Sequence, residues 1–334
     1  VSNALNVDEA VEIIFKRFGW PLLGGPSGRG WSMVSTAQKC GQLFYATCDA
    51  PVARLVRDKK TRAPFAPAPL QIGSLYHTLQ ALYYAAGLGG GDGAVVLPNR
   101  GGLVCPSLFA NGSRKRTKLW KVPATAADDL LDALKAMCNQ PGEDVAAPNL
   151  SIVLEAQRVF DAHTERWGNG QEDLIPLGVE VYAEHAELDY TCRYDFIGKA
   201  GPHEAHIPQG VCILERKTTA WLSEAQLEGW TLDGEVLGEL LCWEPSGMTN
   251  LFGPLSSLVV DLVTKGKIPD VRRVILPPKL PAVENHARWV RWTHAQIHAW
   301  RATGVYPQNF ASCYGRYGRC SQFDKCAMGL TREE

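Results

Sequence analysis

The run Ile213-Leu214-Glu215-Arg216-Lys217-Thr218 follows Arg193-Tyr194-Asp195-Phe196-Ile197 across a Gly/Pro/His-containing loop at 198–210. Each run is apolar and broken by charge. On a strand, alternate side chains share a face, so Glu215 and Lys217 project together. If the two runs pair as a hairpin, the Asp195 carboxylate approaches that of Glu215. Two carboxylates at the ends of apolar strands are costly unless a cation or hydrogen-bond donors compensate them. Magnesium is a hard, oxygen-seeking cation that also takes a substrate phosphate, polarises it and lowers the pKa of water. Lys217 on the same face can orient or help deprotonate that water and stabilise the charge of the transition state. The same Glu-x-Lys spacing also suits an ordinary surface hairpin.

Working outward, three strands are predicted at 177–185, 188–197 and 211–217. Before them, Ile72, Leu75, Leu79, Leu82, Tyr83 and Ala86 form one helical stripe, ended by glycines at 87, 89, 90, 91 and 93. Gly73 and His77 are one turn apart on that helix; His77 can ligate a cation, and Gly73 lets another element come close. After the strands, Leu222–Trp230 begins a further helix of uncertain length, given Gly234 and Gly238, and places Gln226 and Trp230 one turn apart. Gln226 can hydrogen-bond a catalytic group or phosphate. Glu180 is an additional acid on the first strand, with a structural role equally open. A strand at 256–264 completes a helix, strand, strand, strand, helix, strand order. That order predicts an α/β (or α+β) fold with a mixed central β-sheet flanked by helices. Helices are further expected at 5–19, 31–45, 127–138, 151–166 and 282–302, with loops at 51–69 and a basic insertion within 94–150. The expected division is an N-terminal helical segment at 1–70, a core at 71–265, and a C-terminal helix with a cysteine-containing tail at 266–334.

Of the 334 residues, 46% are hydrophobic and 21% charged, as in ordinary globular proteins. No apolar stretch approaches a membrane span and no basic-then-apolar signal segment is seen, so a cytoplasmic location is expected. The net charge of -1 conceals clusters at Arg54/Arg57/Lys59/Lys60/Arg62, Arg114/Lys115/Arg116/Lys118/Lys121, Lys265/Lys267/Arg272/Arg273 and Arg316/Arg319. Such clusters can line a phosphate track or be solvated loops. Among ten cysteines, Cys192, Cys212 and Cys242 sit in apolar runs and read as buried hydrophobes. Cys313, Cys320 and Cys326 form a Cys-x6-Cys-x5-Cys tail that suits a metal site lacking one ligand. Cys40 is the best candidate for that ligand, and Cys48 competes with it.

Gly73-Ser74-Leu75-Tyr76-His77, Asp195, Glu215-Arg216-Lys217 and Gln226-Leu227-Glu228-Gly229-Trp230, in this order, resemble the PD-(D/E)XK nucleases, and especially their Cas4-like and RecB-like branch. The resemblance implies a restriction-endonuclease-like core. It implies that His77, Asp195 and Glu215 coordinate Mg2+ or Mn2+, that Lys217 assists water attack, and that Gln226 lies beside the site. Trp230 stands where the family prefers tyrosine. Cas4-like and AddB-like nucleases also place one cysteine before the core and three after it around a [4Fe-4S] cluster. The resemblance therefore implies Cys40, Cys313, Cys320 and Cys326 as cluster ligands in a structural clasp of the two chain ends. Zinc is the alternative, since four cysteines suit it too.

The expected substrate is DNA, at ends or single-stranded, with aromatic side chains available for stacking. An exonuclease in recombination or end processing is expected, with a phage or mobile element as the expected source. No phosphate-loop motif is seen, so unwinding would need a helicase or recombination partner. Two rival readings are a non-catalytic nucleic-acid-binding or assembly module and a metal hydrolase of a small substrate.

Overall fold

The computed structural model describes residues 5–21, 29–50, 53, 66–88, 94–96, 102–109, 119–139, 147–168, 172–279, 281–315 and 318–328. The basic clusters at 54–62 and 114–118, Arg316 and the glycines at 89–93 lie outside them.

The framework is an eight-stranded sheet in the order β3-β1-β2-β4-β5-β6-β7-β8. Its strands are β1 (Ala94–Val96), β2 (Leu103–Val104), β3 (Leu119–Trp120), β4 (Leu174–His185), β5 (Tyr190–Ala200), β6 (Gly210–Thr219), β7 (Leu255–Thr264) and β8 (Val271–Leu276). The pairs β4–β5 and β5–β6 are antiparallel hairpin neighbours, while β6–β7 is parallel. The sheet is therefore mixed, as the order of elements predicts. The short strands β1–β3 and strand β8 go beyond the sequence reading. The two- and three-residue strands β1–β3 carry too little periodicity to be seen locally, and the two arginines of β8 interrupt its apolar run.

The helices are α1 (Val7–Phe18), α2 (Trp31–Lys39), α3 (Gly41–Phe44), α4 (Ala68–Ala86), α5 (Ala126–Asn139), α6 (Leu150–Trp167), α7 (Glu224–Gly229), α8 (Gly234–Trp243), α9 (Met248–Phe252), α10 (Pro281–Thr303) and α11 (Phe323–Ala327). On one side, α1, α4, α5 and α6 close a core through Val7, Ile14, Leu75, Leu79, Leu130 and Val153. On the other, α8 and α10 cover Val181, Tyr194, Ile213, Val260 and Leu262.

Two helix expectations are corrected. The predicted helix at 31–45 breaks at Cys40, whose backbone is extended (φ -169, ψ 128) before α3 begins. The helix begun at Leu222 is two helices, because Asp233 leaves helical geometry and its side chain caps α8 by accepting from Glu235 N–H. Gly234 and Gly238 are close-approach positions. A Cβ on Gly238 would lie 2.1 Å from the Tyr190 hydroxyl, and one on Gly234 would lie 2.2 Å from the Trp31 ring.

One member of the third basic cluster, Arg273, is withdrawn from the surface. Arg273 is buried and takes a bidentate grip on Asp261 (2.6 and 2.7 Å), with Glu172 as a further partner. Asp261 also meets His163 at 3.2 Å, so this is an internal ion-pair network with no access to a phosphate. Arg272 pairs with Asp270 at 3.0 Å.

Buried histidines give one measurable consequence. His286 is only 3% exposed, and burial pushes its pKa down to about 4. The unfolded chain binds this proton below about pH 6.5 and the fold does not, so stability present above pH 6.5 is lost as pH falls toward 4. The loss is about 3 kcal/mol for this group. His286→Phe is expected to gain on the parent chain by that amount between pH 6.5 and 4 in urea titrations. Other titrating groups cancel in the difference, and a pH-independent difference would reject the assignment.

Candidate active site

The hairpin of β4, β5 and β6 does what the sequence requires of it. Phe196 pairs with Leu214, which sets Asp195 and Glu215 one step further along the same register. Val179–Phe196 and Val181–Tyr194 pairs place Glu180 opposite Asp195. At this point the two strands exchange faces: Val179 and Phe196 lie in one core cluster, Val181 and Tyr194 in the other. Glu180 sits at the switch with φ 55, a left-handed conformation that costs a side-chain-bearing residue about 1–2 kcal/mol. Such strain is typical of functional positions.

Helix α4 delivers His77, whose Nδ1 lies 3.1 Å from Asp195 Oδ2. A Cβ on Gly73 would stand 3.2 Å from Thr218 Oγ1, so glycine lets α4 approach the end of β6 as expected. Asp195 Oδ2 also accepts the Arg216 backbone N–H at 3.1 Å. Lys217 Nζ is in contact with Glu215 Oε1 and is 3.0 Å from Glu235 Oε2. Arg216 turns to the opposite face, fully buried, with its guanidinium 4.2 Å from the Tyr84 ring centre. Trp230 packs against the core, and Gln226 Oε1 is buried without a hydrogen-bond donor.

Glu235 and Glu239 were missed by the sequence reading. They are one turn apart on α8 and face Glu215 and Lys217. The available signal was an acid, Glu239, in an otherwise apolar helical run. Glu215 and Glu239 are each 2% exposed, and neither Oε2 has a donor.

The electrostatics are lopsided. Burial and the Asp195 charge push Glu215 up to about 7 against the pull of Lys217. Burial and Asp195 likewise push Glu180 up to about 7. Burial, then Glu215, raises Glu239. Burial would raise Asp195, but His77 and then Lys217 hold it well below the usual carboxylate range. Burial would lower His77, and Asp195 outweighs it to leave the imidazole raised. Burial would also lower Lys217, but Glu215 and Glu235 keep it firmly an ammonium. Lys217 therefore stands as a positive charge between two carboxylates.

His77, Asp195, Glu215 and Lys217 are therefore brought together. Among the described residues, no three His, Cys, Asp or Glu side chains converge tightly enough to hold one metal ion in this conformation. The donor set nonetheless fits a hard cation: buried carboxylates with orphaned oxygens need a counter-charge.

At the far end of the chain, Cys40, Cys313, Cys320 and Cys326 line one cavity with Leu43, Phe310 and Phe323. All four are free. Asn309 N–H points at Cys40 Sγ (3.5 Å) and Gln322 N–H at Cys320 Sγ (3.4 Å), the kind of donor that stabilises thiolate charge. Cys48 does not line the cavity. Gly41 allows the approach, since a Cβ there would meet Pro307 Cδ at 2.6 Å and its backbone at 2.8 Å. Gly41→Ala is expected to cost about 1–3 kcal/mol and to lower Tm by several degrees. An unchanged Tm by circular dichroism would show that this contact yields freely.

No family model matches the chain, and no curated protein matches it in sequence. Among solved structures, a Eubacterium rectale protein provisionally named an exonuclease is similar at 10% identity and TM-score 0.42 over 90% of this chain and 88% of that one. The mixed sheet flanked by helices rests on the topology above. Among the described residues, no helix is long and apolar enough to cross a membrane.

Proposed function

We propose that this chain is a metal-dependent DNA nuclease of the PD-(D/E)XK class, acting as an exonuclease on DNA ends in recombination or end processing. The observation that carries the reading is the meeting of His77, Asp195, Glu215 and Lys217 at the strand-face switch. His77, Asp195 and Glu215 would hold Mg2+ or Mn2+. A bound divalent cation supplies Lewis-acid polarisation of the phosphodiester and a lowered pKa for attacking water. The chain's own residues do the rest. Arg216 N–H fixes the Asp195 carboxylate, and the contact with His77 Nδ1 at 3.1 Å orients both side chains. Lys217, held charged between Glu215 and Glu235, orients the nucleophile and stabilises charge growing on phosphate oxygens. Gln226 Oε1, buried without a donor, is left free to accept from a substrate-side or water hydrogen.

The four cysteines would hold a [4Fe-4S] cluster that clasps the chain ends. The reading is supported by a cavity that all four cysteines line. Tetrahedral zinc suits four cysteines too and is the alternative occupant.

The test is cleavage of labelled single-stranded, blunt and tailed DNA with Mg2+, Mn2+ or EDTA. Cation-dependent shortening from an end is the expected result. Binding without cleavage in every cation would reject catalysis in favour of a binding module. Hydrolysis of only small phosphoesters would favour the other rival.

A further inference from the structure

Two large indoles on α10 have no role in the core. Trp289 is 44% exposed and Trp292 is 56% exposed, and they stand at i and i+3 on one face of the helix. Arg288 and Arg291 flank them in sequence, both exposed; the only acid on α10 is Glu284, which lies 3.8 Å from Arg288. Half-exposed tryptophans beside arginines are poor surface residues unless something covers them.

The strip is joined to the candidate active site. Trp31 lies directly against Gly234 at the start of α8, next to Glu235, the partner of Lys217. The Trp31 ring is 6.1 Å from that of Trp289. Helix α10 then runs alongside α2 and α3: Gln38 bonds Thr293 at 3.1 Å, and Phe44 meets Trp300 at 6.1 Å. The aromatic series Trp31, Trp289, Trp292 therefore leads from the Lys217–Glu235 pair toward the cysteine-lined end.

We propose that this strip is a track for single-stranded nucleic acid, with bases stacking on Trp289 and Trp292 and backbone phosphates meeting Arg288 and Arg291. It deepens the nuclease reading and rests on it for the direction in which the strand is fed. The choice of occupant follows from charge and shape. Every base offers a π-face to an indole, and a polyanion complements the arginines. A duplex keeps its bases stacked on one another and offers none to the tryptophans.

The experiment measures binding of fluorescein-labelled oligo(dT) by anisotropy in EDTA, where cleavage does not interfere. Trp292→Ala, at the more exposed position, is expected to bind about tenfold more weakly. Intrinsic tryptophan fluorescence should be quenched by oligo(dT), and less so in this variant. Trp289→Ala is expected to act alike, although its contact with Trp31 makes it the less clean substitution. Arg288→Gln and Arg291→Gln are each expected to reduce the slope of log K against log salt by about 0.7. Unaltered oligo(dT) affinity in Trp292→Ala with native circular dichroism would overturn the proposal. So would equal affinity for blunt duplex, or loss of self-association in the variant, which would mark a second copy of the chain as the occupant. The two readings fail separately: strip-dependent binding without cleavage in Mn2+ would remove the nuclease and keep the track. Cleavage with strip-independent binding would do the reverse.

Discussion

Lys217→Ala is expected to lower cation-dependent DNA cleavage by about 10²–10³-fold while the fold survives. The reasoning starts from charge. Lys217 is the ammonium in contact with Glu215 and Glu235, in a pocket that also contains Asp195 and Glu239. Its removal takes one positive charge from a group of acids, so a divalent cation should bind at least as well as before. Cleavage should nonetheless collapse, because the group that orients the nucleophile and offsets phosphate charge is gone. Asp195→Ala makes the contrast: it should lose both cleavage and tight Mn2+ binding, since a ligand disappears. Calorimetric Mn2+ titration beside the cleavage assay separates the two effects. Full activity in Lys217→Ala, or loss of Mn2+ binding in that variant alone, would contradict the assigned roles.

The second large effect is expected at the other end of the chain. Cys313→Ser combined with Cys320→Ser should abolish iron binding and the broad absorbance near the visible–ultraviolet border. A cluster held by Cys40 and the C-terminal cysteines ties residues far apart in sequence. Closing a long loop contributes about 5 kcal/mol in the chain-entropy treatment of crosslinks. Here α2 and α10 are already joined, and Arg301 grips Asp49 at 2.9 Å, so the loop left for the cluster to close is short. The expected loss is about 3 kcal/mol, or several degrees in Tm. Iron and sulfide analysis of anaerobically purified protein checks the occupant. A colourless parent chain with stoichiometric zinc would replace the cluster by zinc. A parent chain with neither metal would remove the clasp.

Much of the candidate site is legible in the sequence. Glu215 and Lys217 had to share a face because strand side chains alternate, and His77 with Gly73 had to share one because helical turns repeat. Those are local rules. They hold here: His77 meets Asp195, and Gly73 meets Thr218. The cysteines were legible in another way, through residue type and their places at the two chain ends.

Sequence by itself thus determined the main strands, the long helices and the charged pair on β6, because each depends on spacing within one element. Tertiary structure alone decided which distant groups those elements meet. It brought Glu235 and Glu239 over the pocket when α8 docked through Gly238, and withdrew Arg273 into an ion-pair network with Asp261. It turned the sheet faces over at Glu180 and separated Cys48 from the cavity that Cys40 enters. Periodicity carries no information about such meetings. They depend on how two surfaces pack, and a buried charge settles where a partner from another part of the chain can neutralise it.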